Sequence, residues 1–298
     1  MRHTPSWRTK SIINDAIEIN KNLIATFTGG EPTLNNDTFI LAEYCKKRSI
    51  KTMLLTNGTL IDENNADTIA RNFDSIRISI EGSSEEIHDT IRGKGSLKQA
   101  LKGVNLLKKA GNEPFIAMTI NKINMHDVIN MVKIYGNRLH FQPIYNVGRA
   151  KHSDIGIEGE EYFNIMNNID GVRPYAFLQE HLIKMKNRGC TKCAIGEGEI
   201  SVSCNGDVFP CHMLHVDKFY CGNIKNQSFN SIYRRSETLK MIRSMSVYSR
   251  RGCKECPVRW LCAGGCWARS YFENGDLNVN DSFCDYELLS FKKGLFDY

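Results

Sequence analysis

Short apolar segments and segments with helical spacing alternate along the first half of this 298-residue chain. The apolar segments are predicted to be strands because they are short and end at turn residues. Successive strands separated by helices need crossover connections, so the sheet should be parallel. The predicted strands are residues 23–28, 52–56, 75–80, 115–120 and 138–144.

Helix signals occupy the gaps between these strands. Ser96 to Gln99 has the form of a capping box, and Gly111 stands where a helix would end. Asp62 precedes another apolar series with helical spacing. Residues 12–17 predict a helix with no strand before it, so the series opens on a helix. Further helices are predicted near residues 160–168 and 175–187.

Polar and glycine residues follow three of the predicted strands. In parallel strand–helix folds, ligands bind at the carboxyl ends of the strands. Glycine leaves the backbone accessible to a ligand, and a carboxylate suits an ammonium group. Each turn alone is better explained as an ordinary turn, whereas three in series favour a binding site. The three segments are Thr28–Pro32, Thr56–Gly58 and Ser79–Gly82.

Cysteine is distributed very unevenly. Only Cys45 lies in the first 189 residues, and the other ten cysteines lie between Cys190 and Cys284. In a reducing compartment such a cluster more often holds a metal or redox centre than disulfides. We therefore predict two domains, residues 1–185 and 186–298.

The remaining composition argues against several classes of protein. The net charge of +6 is spread out, which favours a solvated surface over a nucleic-acid interface. No apolar run approaches the length of a membrane span, and the N-terminus lacks the apolar core of a signal peptide. We expect a cytoplasmic protein that binds neither nucleic acid nor membrane.

The segment LIATFTGGEPTL, residues 23–34, resembles the radical S-adenosylmethionine (radical SAM) enzymes. Their Gly-Gly-Glu-Pro motif holds the amino group of S-adenosylmethionine, and residues 76–111 and 141–150 resemble further family segments. The resemblance implies an α/β fold, a partial (β/α)6-type barrel that here lacks its first strand. It also implies cofactor contacts, although Arg92 alone could be a surface arginine. The implied cofactor-binding residues are Gly29, Gly30, Glu31, Pro32, Ser79 and Arg92.

The cysteine spacing resembles the SPASM extension of these enzymes, which holds two auxiliary [4Fe-4S] clusters. By that resemblance one cluster takes Cys190, Cys193, Cys211 and Cys266, and the other takes Cys253, Cys256, Cys262 and Cys284. A zinc site is the alternative for any single Cys-x2-Cys pair. Cys204 and Cys221 are expected to be buried thiols, and Arg259, Trp260 and Trp267 are expected to pack around the clusters.

The radical SAM family also uses a Cys-x3-Cys-x2-Cys motif that precedes Gly-Gly-Glu-Pro. No cysteine precedes Cys45 here, so this chain should not cleave S-adenosylmethionine reductively and should bind it weakly at most. We expect a truncated gene product, a misplaced start codon or a split reading frame; the alternative is a natural paralogue without that cluster.

The resemblance implies a maturase of peptides or proteins that, in its complete form, acts through a 5′-deoxyadenosyl radical. A reductant such as flavodoxin or ferredoxin would supply the electron. Sulfatase-maturing members carry an aspartate where this chain has His212, which favours a peptide maturase. His212 could be a proton acceptor or incidental. The alternatives are a non-catalytic iron-sulfur partner or electron carrier, and a zinc-binding interaction module.

Overall fold

A computed structural model describes residues 6–169 and 191–296. The chain divides into two compact units, of which one ends at Ile144 and the other begins at Tyr145. The predicted helix at 175–187 and the predicted domain boundary near residue 186 lie outside the described residues. None of the described helices is long and apolar enough to cross a membrane.

The first unit contains a five-stranded parallel sheet whose spatial order is the order of the strands in the sequence. All five strands lie where the apolar segments predict them, within about one residue at each end. This confirms the predicted α/β class and the parallel sheet. The strands are β1 Ile24–Phe27, β2 Lys51–Thr56, β3 Ser75–Ser79, β4 Phe115–Ile120 and β5 Leu139–Pro143.

Helices connect these strands, and the predicted first helix is present before β1. They are α1 Ser6–Ile19, α2 Asn36–Lys46, α3 Ala66–Asn72, α4 Glu85–Arg92, α5 Ser96–Lys109 and α6 Val128–Tyr135. Short 3-10 turns occupy Pro32–Leu34, Met125–Asp127 and Gly136–Arg138.

The two faces of the sheet differ in their environment. Along β3 and at the residue after it, Ile76, Ile78 and Ile80 are buried, and Ile78 lies beneath α5. The alternate residues of each strand point to the opposite face, which we call the inner face. The inner face consists of Ile24, Thr26, Lys51, Met53, Leu55, Ser75, Arg77, Ser79, Phe115, Ala117, Thr119, His140 and Gln142.

The predicted capping box at Ser96 is wrong. The helix does begin at Ser96, but its N-cap is Gly95 and no side chain of the cap residue closes the helix end. Asp89 does this instead, because its carboxylate accepts hydrogen bonds from the amides of Gly95 at 2.5 Å and Leu97 at 3.0 Å. The predicted C-terminal glycine is confirmed, since Gly111 follows the last turn with a φ of +83°.

The second unit has little regular structure. Its three short antiparallel strands are β6 Ser201–Val202, β7 Asp207–Phe209 and β8 Gly222–Asn223. Its helices are α7 Gly159–Asn167, α8 Phe229–Arg235, α9 Glu237–Ser244, α10 Arg259–Cys262, α11 Trp267–Asn274 and α12 Cys284–Phe296, with 3-10 turns at Gly148–His152 and Asp217–Phe219. α7 confirms the helix predicted near residues 160–168, and α7 and α12 pack against each other.

Much of the second unit is organised around its cysteines. One apolar cluster brings Cys211 together with Leu214, Phe219 and Trp267, and Cys193 and Cys266 pack against it. A smaller cluster joins Cys256 and Cys262 to apolar residues of α12. The cysteines therefore lie at the edges of small apolar cores, a setting from which water is largely excluded.

Candidate cofactor and cluster sites

The Gly-Gly-Glu-Pro segment forms a turn directly after β1. Gly29 has a φ of +139°, a conformation that residues with a Cβ rarely adopt. Gly30 has no such constraint, and a Cβ built on it would contact nothing within 4 Å. The fold therefore explains glycine at position 29, whereas at position 30 it leaves bare backbone beside open space.

The other two strand ends need glycine for packing. A Cβ on Gly58 would lie 2.8 Å from Ile78 Cγ2, and a Cβ on Gly82 would lie 2.5 Å from Ile87 Cγ2. A Cβ on Gly103 would lie 2.5 Å from the carbonyl oxygen of Gly58, so this turn packs closely on α5. Of the three strand ends, the Gly29–Gly30 turn is the one with space for a ligand against its backbone.

Hydrogen bonds from residues of the first unit hold the carboxylate of Glu31 in place. Its carboxylate accepts hydrogen bonds from the Thr33 hydroxyl at 2.6 Å, the Thr56 hydroxyl at 2.7 Å and the Asn57 amide at 2.8 Å. These contacts join the turn after β1 to the end of β2. Glu31 thus fixes the shape of the turn, so that any contact with an ammonium group would be additional to this role.

Ser79 and Arg92 belong to different elements, since Ser79 ends β3 and Arg92 ends α4. Ser79 is the last residue of β3 and lies on the inner face. Arg92 donates two hydrogen bonds to Glu81 Oε1, at 2.6 and 3.0 Å, and Glu81 Oε2 accepts the Thr119 amide at 2.7 Å. Glu81 is 2% exposed, so this ion pair is nearly dry on its acidic side. Glu81 was not predicted from the sequence as the partner of Arg92.

His88 completes the buried polar network at the end of β3. Its Nδ1 accepts the Glu81 amide at 3.0 Å, which requires an unprotonated nitrogen. Burial lowers the pKa of His88 to about 4, and the Arg92 charge adds to the effect. The ring is therefore neutral at physiological pH and serves as a structural acceptor.

Four cysteines of the second unit line one cavity. They are the set that the resemblance assigns to the second auxiliary cluster: Cys253, Cys256, Cys262 and Cys284. Burial raises the pKa of Cys262 and of Cys284. The charge of Glu287 adds to the effect at Cys262, and neighbouring thiols add to it at both cysteines. A cation that binds there would stabilise the thiolates that burial disfavours.

The same cavity contains an unused hydrogen-bond donor. The buried Nε of Arg259, one of the lining residues, has no acceptor among the described residues. Sulfides of an iron-sulfur cluster accept hydrogen bonds, and such bonds tune its reduction potential. The four thiols and the free donor together fit a cluster; Arg259 also donates from Nη1 to the Cys256 carbonyl at 2.8 Å.

Three cysteines of the other set also interact with one another. Burial raises the pKa of Cys193 to about 11 and also raises the pKa of Cys211, to which the charge of Glu199 adds. Cys266 raises the pKa of both thiols further. The amide of Met213 donates to Cys211 Sγ at 3.4 Å, and the amide of Arg269 donates to Cys266 Sγ at 3.5 Å. Cys190, the predicted fourth member, lies outside the described residues.

Asp281 links the two cysteine sets. Its Oδ2 accepts the amide of Cys266 at 2.6 Å, and its backbone carbonyl accepts the amide of Cys284 at 3.0 Å. The carboxylate also forms a buried ion pair with Arg269, at 2.5 and 2.8 Å. Gly265 passes so close that a Cβ there would lie 2.5 Å from Asp281 Oδ2. Asp281 is absent from the residues predicted from the sequence; its position three residues before Cys284 was the available signal.

His212 and Glu199 form a polar pair beside Cys211. Its Nδ1 lies 2.5 Å from Glu199 Oε1, and its amide donates to the same oxygen at 3.1 Å. The hydrogen bond to Glu199 raises the pKa of His212. Ligand atoms of Glu199, Cys211 and His212 lie within 4.8 Å of one another, so this trio could hold a metal ion by itself. Such an ion would compete with a cluster for Cys211, which keeps the zinc alternative open.

The remaining cysteines and the tryptophans behave partly as predicted. Cys221 is buried, and burial raises its pKa to about 11. Cys204 is exposed, so the prediction that it is a buried thiol is wrong; it occupies the polar turn between β6 and β7. Trp267 is fully buried and donates to the Ala263 carbonyl, and the edge of Trp260 packs on Tyr248. Both tryptophans are packing residues.

Family models match both units. Residues 3–134 match the radical SAM superfamily, and residues 193–257 match SPASM, an iron-sulfur cluster-binding domain. An AdoMet-dependent heme synthase of Nitratidesulfovibrio vulgaris is 29% identical, with 89% of this chain and 80% of the relative covered. The mycofactocin maturase MftC of Mycolicibacterium smegmatis is 24% identical, with 95% and 75% covered.

Solved structures share the fold. The structure described as anSMEcpe with bound AdoMet matches with a TM-score of 0.79 at 22% identity, over 98% of this chain and 84% of that chain. Streptococcus suis SuiB bound to its precursor peptide SuiA matches with a TM-score of 0.75 at 17% identity, over 95% and 70%. At these identities the likeness establishes the fold alone.

The matches agree with the geometry of both units. The radical SAM match covers β1 to β4 with the Gly-Gly-Glu-Pro turn, and the SPASM match contains Cys193, Cys211, Cys253 and Cys256. These families bind S-adenosylmethionine and iron-sulfur clusters. The chain therefore contains a radical SAM domain, over residues 3–134, and a SPASM iron-sulfur cluster-binding domain, over residues 193–257.

Proposed function

We propose that this protein is a SPASM-type maturase that modifies a peptide or protein substrate. The observation that carries the proposal is the cavity lined by Cys253, Cys256, Cys262 and Cys284 in a chain with the radical SAM fold. MftC is a maturase by name, and SuiB has been solved with a precursor peptide bound. The heme synthases among the relatives make a tetrapyrrole the competing substrate class.

Two auxiliary [4Fe-4S] clusters are part of the proposal. The second set of four cysteines holds one of them in the shared cavity. Cys193, Cys211 and Cys266 hold the other together with Cys190. Two features support this division: the thiols interact within each set, and Asp281 fixes one backbone amide of each. In such an enzyme the clusters accept an electron or bind the substrate.

The binding site for S-adenosylmethionine is proposed at the carboxyl end of β1 and β3. Gly29 and Gly30 offer backbone polar groups to the methionine moiety, and Glu31 and Pro32 fix the turn that presents them. Ser79 adds a hydroxyl from the inner face. Arg92 reaches the cofactor from its ion pair with Glu81, which orients the guanidinium.

Reductive cleavage of S-adenosylmethionine needs a third set of cysteine ligands, for the cluster that donates the electron. Bound S-adenosylmethionine supplies a 5′-deoxyadenosyl radical when a reduced cluster donates an electron. Residues 1–298 contain no Cys-x3-Cys-x2-Cys, and the first cysteine is Cys45. We propose catalysis by a form that supplies this motif, with flavodoxin or ferredoxin as reductant in the cytoplasm. The chain of residues 1–298 by itself binds the cofactor weakly.

The test uses mass spectrometry of peptides. A version of the protein that supplies Cys-x3-Cys-x2-Cys is co-expressed with short reading frames that neighbour its gene. We expect a defined mass change in one peptide, together with 5′-deoxyadenosine. Cys253→Ala should abolish the mass change, whereas the exposed Cys204→Ala should not. A modified porphyrin with all peptides unchanged would contradict the proposal.

A second function is supported by the four cysteines that line one cavity of the second unit. A non-catalytic iron-sulfur partner or electron carrier needs only the second unit and would form no 5′-deoxyadenosine. This alternative predicts bound iron and affinity for the substrate peptide with no chemistry, even after the motif is supplied. The same co-expression experiment separates the two functions.

A further inference from the structure

Arg77 lies in the middle of the inner face, and the described part of the chain gives it no acidic partner. It is the third residue of β3, half-buried, and none of the ion pairs or hydrogen bonds among the described residues involves its guanidinium. Burial lowers the pKa of Arg77. A desolvated guanidinium is costly unless an anion compensates its charge, and carboxylates match its geometry with two parallel hydrogen bonds.

The strand register defines what surrounds this cation. Leu55 pairs with Arg77 on one side and Phe115 pairs with it on the other, so apolar side chains flank it. One layer nearer the carboxyl ends of the strands, Ser79, Ala117 and His140 form the next row. That row is about 7 Å from Arg77 along the strand.

Charge on the inner face has one sign. Its residues include Lys51 and Arg77 but neither aspartate nor glutamate on any of the five strands. Desolvation and then the charge of Arg77 lower the pKa of His140, so its ring is neutral at physiological pH. Lys51 is exposed, whereas the half-buried Arg77 is flanked by apolar side chains and lies near a neutral imidazole and a hydroxyl. This setting matches a ligand group with a single negative charge.

We propose that Arg77 binds a carboxylate of the substrate peptide, either an acidic side chain or the C-terminus. Leu55 and Phe115 shield the ion pair from water, which strengthens it. The peptide carboxylate is thereby held one layer below Ser79 and the Gly29–Gly30 turn. This inference rests on the proposed function, since it names the chemical group by which that substrate is recognised.

Methionine methyl groups provide a direct assay on the full chain. Met53 lies on the inner face in register with Thr26 and Ser75, and Met118 is buried on the opposite face. The chain, labelled with 13C at its methionine methyls, is titrated with a blocked tripeptide whose central residue is glutamate. The glutamine counterpart of that peptide, at the same ionic strength, is the neutral control.

We expect the glutamate peptide to shift the Met53 methyl signal saturably and to leave the Met118 signal unchanged. Arg77→Gln should weaken this response at least about tenfold, as expected for the loss of a charge-assisted bidentate contact. Arg77→Lys should retain part of the affinity. Arg71→Gln, which removes an exposed cation from α3, should leave binding as it is.

The proposal is overturned if both peptides give the same response, or if Arg77→Gln binds the glutamate peptide as well as the parent chain does. An unchanged Met118 signal in the variant shows that a lost response is not caused by misfolding. Binding here requires neither clusters nor turnover. The proposed maturase function can therefore fail while Arg77 still binds a carboxylate, and the reverse result is equally visible.

Discussion

Replacing Asp281 with asparagine tests whether its carboxylate fixes the loop before Cys284 to Cys266 and Arg269. The side chains of Arg269 and Asp281 are 7% and 2% exposed, so the ion pair is buried. Removing one partner of such a pair leaves a buried charge uncompensated and costs about 3–5 kcal/mol. The amide of Cys266 also loses its ionised acceptor. We expect at least about 3 kcal/mol of lost stability.

Urea unfolding under anaerobic conditions measures this loss. In a Trp7→Phe background, the two remaining tryptophans, Trp260 and Trp267, report on the second unit. With a slope of about 2 kcal/mol per molar urea, the midpoint should fall by about 1.5 M. The paired variant Arg269→Met with Asp281→Asn should recover part of the loss, because it removes the orphaned cation as well.

An exposed ion pair provides the matched control. Arg251 donates to Asp276 at 2.9 Å, and the Asp276 side chain is 41% exposed. Asp276→Asn makes the same chemical change and should cost less than about 1 kcal/mol. If Asp281→Asn costs no more than Asp276→Asn, or if the paired variant recovers nothing, the assigned role of Asp281 is refuted.

Three further predictions concern other sites. The folded-state pKa of His88 is about 4, below its unfolded value, so the unfolded chain binds the proton first as pH falls. Between about pH 8 and about pH 5 the first unit should lose about 2 kcal/mol, measured by urea unfolding, and His88→Gln should lose less; an equal loss would contradict this. Gly30→Val should abolish binding of S-adenosylmethionine in the cysteine-complete protein and keep its iron, measured by calorimetry and metal analysis; unchanged affinity would argue against the turn as binding site. Arg259→Met should lower the reduction potential of the cluster beside it in an EPR-monitored titration, and no change would show that its free Nε does not contact the cluster.

The regular part of the fold could be predicted because its signals are local. Each strand of the sheet is a short apolar segment, and burial of alternate residues such as Ile76, Ile78 and Ile80 follows from strand geometry. The cap of α5 could not be predicted in this way. Asp89 lies on the preceding helix and reaches the amides of Gly95 and Leu97 through the tertiary fold.

Among the site residues, too, those with a local sequence signal could be predicted and those defined by tertiary contacts could not. Gly29 and Gly30 could be found because the motif is contiguous, and the cysteine sets could be assigned through a family resemblance. Asp281 gives little sequence signal, since a single aspartate in a loop is common. Its importance comes from its contacts with Cys266 and Arg269, which only the folded chain brings together. Arg77 could have been noticed as the one charged residue on the alternate face of β3.

The iron and acid-labile sulfide content of protein purified without oxygen shows whether the two cysteine sets hold iron-sulfur clusters. We expect about eight irons and about eight sulfides per chain, from two clusters of four irons each. Cys253→Ala and Cys266→Ala should each remove about four irons, and Cys204→Ala should remove none. A colourless protein with stoichiometric zinc and no sulfide would contradict the account.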